Sequence, residues 1–208
     1  MIIGRKEEPA KLKRAYDSDH SEFVAVYGRR RIGKTYLIRE TFEGKFTFQY
    51  SGIFKASNKE QLDVFYKSLL EQGLDPTEKP PKDWFDAFFL LEHLIKKSEE
   101  QRKVIFLDEL PWMDARNSRF IPAFEHFWNG WASARKDILL IICGSATSWI
   151  INKIFRNKGG LYNRVTFRIK LQQFSLHECE ELVHYLKLPL NRNTIVEGYM
   201  VMGGVPYY

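Results

Sequence analysis

The chain has 208 residues, of which 44% are hydrophobic and 15% aromatic, enough apolar material for a core that needs no disulfides. Its net charge is +6, but the charges are interspersed, so charge alone identifies no nucleic-acid partner. The longest apolar run, Ile138 to Cys143, is too short to cross a bilayer, and the N-terminus carries no secretory pattern. Cys143 and Cys179 have no metal-ligand spacing. We therefore expect a cytoplasmic protein with reduced thiols, no membrane association and no cysteine metal site.

The first motif is a full match to the phosphate-binding pattern GxxxxGK[ST] over residues 28–35. The apolar run 23–27 predicts a strand entering this loop, and residues 34–42 predict a helix leaving it, with Leu37 and Ile38 on one face. Strand, loop and helix agree, so the motif predicts a P-loop.

This loop predicts a specific chemistry. Gly28 and Gly33 let backbone N–H groups turn towards phosphate oxygens, and the helix start adds its positive dipole end. Lys34 is expected to reach the β- and γ-phosphates, and the Thr35 hydroxyl to ligate Mg²⁺. The residues expected to contact ATP here are Gly28, Arg29, Arg30, Arg31, Ile32, Gly33, Lys34, Thr35 and Tyr36.

Arg29, Arg30 and Arg31 form the densest basic run of the chain. They are either counter-charge for ATP or a DNA backbone, or a solvated loop tip, and the sequence favours neither interpretation.

Further elements follow in alternation. Residues 45–50 predict a second strand, and Asn58 is expected to cap a helix that reaches Leu70. The proline-containing segment 73–82 predicts a surface connection, and Asp83 is expected to cap a second helix with apolar residues at helical spacing.

A second motif lies at residues 104–109. Four apolar residues are followed by Asp108 and Glu109, as in a buried parallel strand that ends in carboxylates, and the segment resembles a Walker B strand. Asp108 is expected to face Thr35 and hold Mg²⁺, with Glu109 as the base that activates water. The alternative is a strand that ends in a solvated acidic turn.

A helix is predicted from about Ser118 to Arg135. The aromatic residues of this region are either a partner-binding face or core packing, and helical spacing favours the core. They are Trp112, Phe124, Phe127, Trp128 and Trp131.

The strand 138–143 is followed by hydroxyl residues. Ser145 is the expected sensor of the γ-phosphate, with Thr147 as second choice, and Ser145 is also a candidate N-cap. The glycine-containing loop 159–164 then delivers Arg164 before a predicted strand at 165–169. Arg164 is a candidate for stabilising charge on a transferring phosphoryl group, or an ordinary surface residue.

The alternation of strands and helices predicts an α/β fold: a three-layer αβα sandwich around a mostly parallel five-stranded sheet. The order of motifs resembles the archaeal-type ATPase family, in the STAND branch of the AAA+-related P-loop ATPases. Besides the P-loop and Walker B segments, the matching segments are Ile2–Arg5, Cys143–Ser145, Leu161–Arg164, Phe174–Leu176 and Gly203–Tyr208.

The resemblance implies an ATPase core at 1–172 and the start of a helical lid at 173–208. It also implies that Ile3, Gly4 and Arg5 flank the adenine, that Pro206 lies against the nucleotide, and that Arg164 acts in cis or in trans. Relatives usually carry glycine where Asn163 stands. Family members continue beyond the point where this chain stops, so we expect an N-terminal portion of such a protein.

The expected function is Mg²⁺-dependent ATP binding and slow hydrolysis by a nucleotide-driven conformational switch. The alternative is a non-catalytic ATP/ADP-gated interaction or DNA-binding module. A DNA or protein partner is expected through C-terminal domains that lie outside this chain, and homo-oligomerisation stays open.

Overall fold

A computed structural model describes residues 2–156 and 159–206 of the chain. It contains a five-stranded sheet in which every pairing is parallel, in the order β2-β3-β4-β1-β5. The strands are β1 (Glu22–Tyr27), β2 (Phe46–Ser51), β3 (Lys103–Asp108), β4 (Ile138–Gly144) and β5 (Phe167–Lys170). The predicted α/β fold with a five-stranded parallel sheet is confirmed.

In the described residues, eight α-helices precede, connect or follow the strands. They are α1 (Glu7–Tyr16), α2 (Lys34–Thr41), α3 (Asn58–Glu71), α4 (Trp84–Lys97), α5 (Phe120–Gly130), α6 (Thr147–Trp149), α7 (Leu176–Tyr185) and α8 (Arg192–Met202). A 3₁₀ turn, Leu110–Trp112, follows β3, and a π-helical segment, Ile150–Phe155, continues α6. In the described part of the chain, no helix is both long enough and apolar enough to cross a membrane.

The sheet separates two hydrophobic clusters, because successive side chains of a strand point to opposite faces. On β1, Phe23 and Ala25 join the larger cluster with α3, α4 and α5, whereas Val24 and Val26 join the smaller cluster with α1 and α2. The three central strands, β1, β3 and β4, are buried on both faces, which explains their continuous apolar runs.

Core packing accounts for most of the aromatic residues around α5. Phe124, Phe127 and Trp128 are buried in the larger cluster, and Trp131 packs against its edge. Trp112 is different: it lies half-exposed in the 3₁₀ turn after β3.

Several predicted boundaries were wrong by one or a few residues. The cap of α3 is Ser57 and not Asn58, because the Ser57 hydroxyl accepts from the Glu60 N–H while the Glu60 carboxylate accepts from the Ser57 N–H. Asp83 caps α4 as predicted. The predicted helix 118–135 is shorter, since Arg119 has a left-handed backbone before Phe120.

The register brings the ends of four strands to one edge of the sheet. Tyr27 of β1 pairs with Gly144 of β4, Ser51 of β2 pairs with Asp108 of β3, and Leu107 lies opposite Ile142. The segments that follow β1, β3 and β4 are therefore neighbours, and the P-loop and Walker B sequences belong to two of them.

Candidate functional site

The P-loop runs from the end of β1 into the first turn of α2. Gly28 has φ +150°, and a Cβ there would lie 2.4 Å from the carbonyl oxygen of Leu171. The loop therefore passes too close to the segment after β5 for any side chain at this position. Ile32 is buried in the smaller cluster and anchors the loop from below.

Lys34 is buried at the centre of this loop. Its Nζ donates to the carbonyl oxygens of Gly28 at 3.2 Å and Arg29 at 2.8 Å. The ammonium group thus lies among the carbonyls of its own loop. To engage a β- or γ-phosphate it must exchange these oxygens for phosphate oxygens.

Thr35 and Asp108 are joined directly. The Thr35 hydroxyl donates to Asp108 Oδ2 at 2.8 Å, and Asp108 Oδ1 accepts from the backbone N–H of Glu109 at 2.9 Å. Among the described residues, no cluster of three or more His, Cys, Asp or Glu side chains forms a cage for a metal ion. A hydroxyl and one carboxylate instead suit Mg²⁺ that shares its coordination shell with nucleotide phosphates and water.

Cys143, near the end of β4, is buried beside this pair. Burial, followed by the nearby charge of Asp108, raises the pKa of the Cys143 thiol well above its usual value. The thiol therefore stays neutral and adds no second charge beside Asp108.

The predicted base and the predicted sensor are in contact. Glu109 Oε2 accepts from the Ser145 backbone N–H at 3.2 Å and from its hydroxyl at 3.1 Å. Glu109 has φ +46°, a left-handed backbone that is uncommon for glutamate and turns the chain sharply after β3. Ser145 does not cap α6, whose N-cap is Ala146. Its hydroxyl instead positions the Glu109 carboxylate.

A cavity of about 630 Å³ opens beside the P-loop. Arg30 to Tyr36 and Glu109 line one side, and the other side comes from both ends of the chain and from α7. These further lining residues are Ile2, Ile3, Arg5, Leu37, Phe174, Leu182, Tyr185, Leu186 and Pro206. Gly4 lines a neighbouring cavity instead. Most predicted contacts thus surround one space, which also has an apolar wall suited to a nucleobase.

Arg5 holds this wall together. Its Nη2 donates to the carbonyl oxygens of Ile32 and Gln172, each at 2.8 Å, and its guanidinium lies 4.8 Å from the centre of the Phe174 ring. Burial lowers the pKa of Arg5, and the negative charges of Glu8 and Glu178 partly offset this shift. Arg5 therefore ties the N-terminal segment to the P-loop and to the segment before α7.

Two predicted arginines do not line the cavity. Arg29 is exposed, and only its carbonyl takes part, as an acceptor from Lys34. Arg164 is exposed in a turn in which its N–H donates to the Leu161 carbonyl. Asn163 before it has φ +56°, which explains why glycine suits that position.

Sequence reasoning missed Gln61. This buried side chain donates to the carbonyl oxygens of Ile53 at 2.7 Å and Trp112 at 2.8 Å. It accepts from the Ile53 N–H at 3.1 Å and from the Tyr50 hydroxyl at 2.8 Å. The signal that could have found it is a glutamine directly before Leu62 on the apolar face of a helix. Gln61 joins the segment after β2 to the turn after Glu109.

The comparison with known proteins decides the family. A family of ATPase domains found predominantly in Archaea matches residues 3–208. The chain belongs to this family. Membership makes it a nucleotide-binding domain of the ATPase type. An uncharacterized protein of Methanocaldococcus jannaschii is 27% identical over 208 residues, which are all of this chain and 43% of that relative. The chain thus spans less than half the length of this relative.

Solved structures agree on the fold. A Walker-type ATPase of Pyrococcus abyssi superposes with a TM-score of 0.69 at 17% identity, over 99% of this chain and 65% of that one. The ORC2 protein of Aeropyrum pernix, solved in ADPNP and ADP complexes, superposes with a TM-score of 0.61 at 15% identity, over 88% of this chain and 51% of that one. The predicted P-loop NTPase fold of this domain is thus confirmed.

Proposed function

We propose that this ATPase domain binds MgATP, hydrolyses it slowly, and uses the nucleotide state to switch conformation. The observation that carries the proposal is the contact between Ser145 and Glu109, which lines the P-loop cavity. A carboxylate beside a phosphate loop can accept a proton from an attacking water, and the Ser145 hydroxyl and N–H hold this carboxylate in place until nucleotide binds.

The phosphate chemistry is assigned to four side chains. Lys34 leaves the carbonyls of Gly28 and Arg29 to pair with the β- and γ-phosphates. Thr35 and Asp108 would hold Mg²⁺, which would neutralise charge on the phosphates. Glu109 then accepts a proton from the attacking water, and the backbone N–H groups of the loop stabilise the charge that develops.

The same contact supports a slow rate and a switch. Two donors occupy Glu109 Oε2, so the carboxylate must leave Ser145 before this oxygen can accept a proton from water. A γ-phosphate is a strong competing acceptor for the Ser145 hydroxyl. Binding of ATP would therefore release Glu109 from Ser145, and loss of the phosphate would restore the contact. Ser145 thus reports the nucleotide state.

The adenine is assigned to the apolar wall of the cavity. Ile3 and Pro206 line this wall from the two ends of the chain, and Arg5 joins the segments between them by hydrogen bonds.

We place the ATPase core at 1–172 and the start of a helical lid at 173–208, since α7 and Pro206 cover the cavity from beyond β5. Arg164 is assigned as an arginine that acts on a phosphate, in cis or from a second subunit. The location proposed is the cytoplasm, since both cysteines are unpaired.

Glu109→Gln tests the proposal. The amide keeps the shape of the side chain and still accepts from Ser145, so the affinity for MgATP should stay within about threefold. It cannot accept a proton, so phosphate release should fall by roughly 100-fold or more. Exposed Glu99→Gln serves as the matched control and should match wild type. Turnover of Glu109→Gln equal to wild type would remove Glu109 as the base.

The runner-up function is a nucleotide-gated module without useful turnover. The two hydrogen bonds that occupy Glu109 also favour it, since they hold the base away from any other donor. In that case wild type and Glu109→Gln should both bind MgATP and release phosphate at the same background rate.

A further inference from the structure

Four side chains form an aromatic–basic surface beside the nucleotide cavity: Arg30, Phe54, Lys55 and Trp112. The Arg30 guanidinium lies 6.0 Å from the centre of the Trp112 ring, and the Trp112 and Phe54 rings are 5.3 Å apart and tilted. The Lys55 ammonium lies 5.3 Å from the Phe54 ring. The two aromatic rings therefore lie side by side with a cation at each end, in a row that starts at the P-loop and ends after β2.

The row is held rigidly. Gln61 fixes both backbone groups of Ile53, next to Phe54, and the carbonyl of Trp112. The Gly52 N–H also donates to the Asp108 carbonyl at 2.9 Å, which extends the pairing of β2 with β3. One buried side chain thus connects the two segments that carry the aromatic rings.

Phe54 is 59% exposed despite this rigid support. A phenylalanine on a fixed backbone that points outward keeps apolar surface in water, at a cost to stability. Lys55 adds a left-handed backbone at φ +58°, which few residues other than glycine and asparagine adopt readily. Phe54 and Lys55 therefore keep this arrangement although the exposed ring and the left-handed backbone both cost stability, as expected of a binding surface.

We propose that the aromatic–basic surface binds single-stranded DNA, with a base stacked on Phe54 and the neighbouring phosphates paired with Lys55 and Arg30. An exposed ring beside cations suits a polyanion whose units each have a flat face. The Phe54 ring, on which the base is stacked, lacks a hydrogen-bonding group for a ribose 2′-hydroxyl, so DNA is proposed and RNA is an outcome of the test. The proposal concerns binding alone and does not rest on hydrolysis.

Fluorescence anisotropy with a 5′-labelled dT12 oligonucleotide tests the site on the whole chain. Phe54→Ala should weaken binding by roughly 5- to 150-fold, the range for one base stacked on an aromatic side chain. Phe89→Ala is the matched control, because Phe89 is 55% exposed but lies on α4. It should bind like wild type. Phe54 does not line the nucleotide cavity, so Phe54→Ala should keep its MgATP affinity.

The dependence of DNA binding on salt concentration tests the role of Lys55 and Arg30. Two phosphate contacts weaken binding about sevenfold between 50 and 200 mM salt, and Lys55→Asn should reduce this factor to about 2.6 by removing one of them. Asparagine tolerates the left-handed backbone at this position, so the variant should fold. Thermal unfolding of each variant checks that it is folded.

An abasic 12-mer with the same phosphates separates stacking from charge. It should bind wild type more weakly than dT12 does, and should not distinguish wild type from Phe54→Ala. Equal affinity for dT12 and the abasic strand would overturn the proposal, as would equal loss in Phe54→Ala and Phe89→Ala. If poly-L-glutamate displaces labelled dT12 as effectively as unlabelled dT12 does, the surface binds an acidic protein partner. If U12 binds tenfold more tightly than dT12, the surface binds RNA. Either result would overturn the DNA assignment.

Discussion

Gln61→Leu should destabilise the fold measurably, because leucine has a similar volume but none of the hydrogen bonds. Two backbone groups lose their partner, the N–H of Ile53 and the C=O of Trp112, while the C=O of Ile53 still accepts from the Ala56 N–H at 3.4 Å. Tyr50 keeps an acceptor, since its hydroxyl also contacts the Gln61 carbonyl oxygen at 3.2 Å. Each lost partner costs about 1–3 kcal/mol if the group stays dry.

The half-burial of Ile53 and Trp112 lets water reach part of this backbone, so the lower end of that range applies, about 2–4 kcal/mol in total. The more hydrophobic leucine returns about 1 kcal/mol. The net loss of about 1–3 kcal/mol corresponds to a fall in Tm of about 2–12 °C for a chain of this size.

Thermal unfolding followed by circular dichroism measures the effect. Gln101→Leu is the control: Gln101 is exposed in the connection before β3, and its replacement should move the Tm by less than about 2 °C. A Tm of Gln61→Leu within 2 °C of wild type would refute the reasoning, since the hydrogen bonds of Gln61 would then carry no net stability.

Three further predictions follow. Lys34→Ala should weaken MgATP binding about 10- to 150-fold in calorimetry, the equivalent of one charged hydrogen bond, and unchanged affinity would remove Lys34 from the phosphate site. If Arg164 acts from a second subunit, ATPase activity per chain should rise with protein concentration, and mixing Arg164→Ala with Lys34→Ala chains should restore activity. If Arg164→Ala has wild-type turnover, Arg164 is an ordinary charged surface residue without a role in hydrolysis. Burial raises the pKa of Cys143 and Cys179, so a thiol reagent at pH 8 should modify at most Cys179 in the folded protein and both thiols after unfolding.

The sheet and the phosphate loop were predictable because their signals are local. Four or more consecutive apolar residues mark a strand buried on both faces, and the strands 23–27, 104–107 and 138–143 match β1, β3 and β4 closely. Chain order could not give the strand order, but parallel strands place all their carboxyl ends at one edge. The sequence therefore brought Thr35 and Asp108 together correctly.

Features that depend on distant partners could not be predicted. Arg5 resembled a residue for the adenine, yet its guanidinium is occupied by carbonyls from Ile32 and Gln172, and the latter lies 167 residues away in the chain. The sequence could not decide between Ser57 and Asn58 as the N-cap of α3, because serine and asparagine favour that position about equally. The left-handed Glu109 follows from the tight turn into Leu110–Trp112, which no residue pattern marks.

The packing around this turn limits how the proposed switch can operate. A Cβ on Gly52 would lie 2.8 Å from the Glu109 carbonyl oxygen, and a Cβ on Gly144 would lie 2.8 Å from Pro111 Cδ. The turn is thus held between the ends of two strands, while Gln61 holds its Trp112 carbonyl. A backbone shift there would have to move the sheet as well. We infer that nucleotide binding changes the rotamer of Glu109 and leaves the turn in place, so that Trp112 keeps its position beside Phe54 in both nucleotide states.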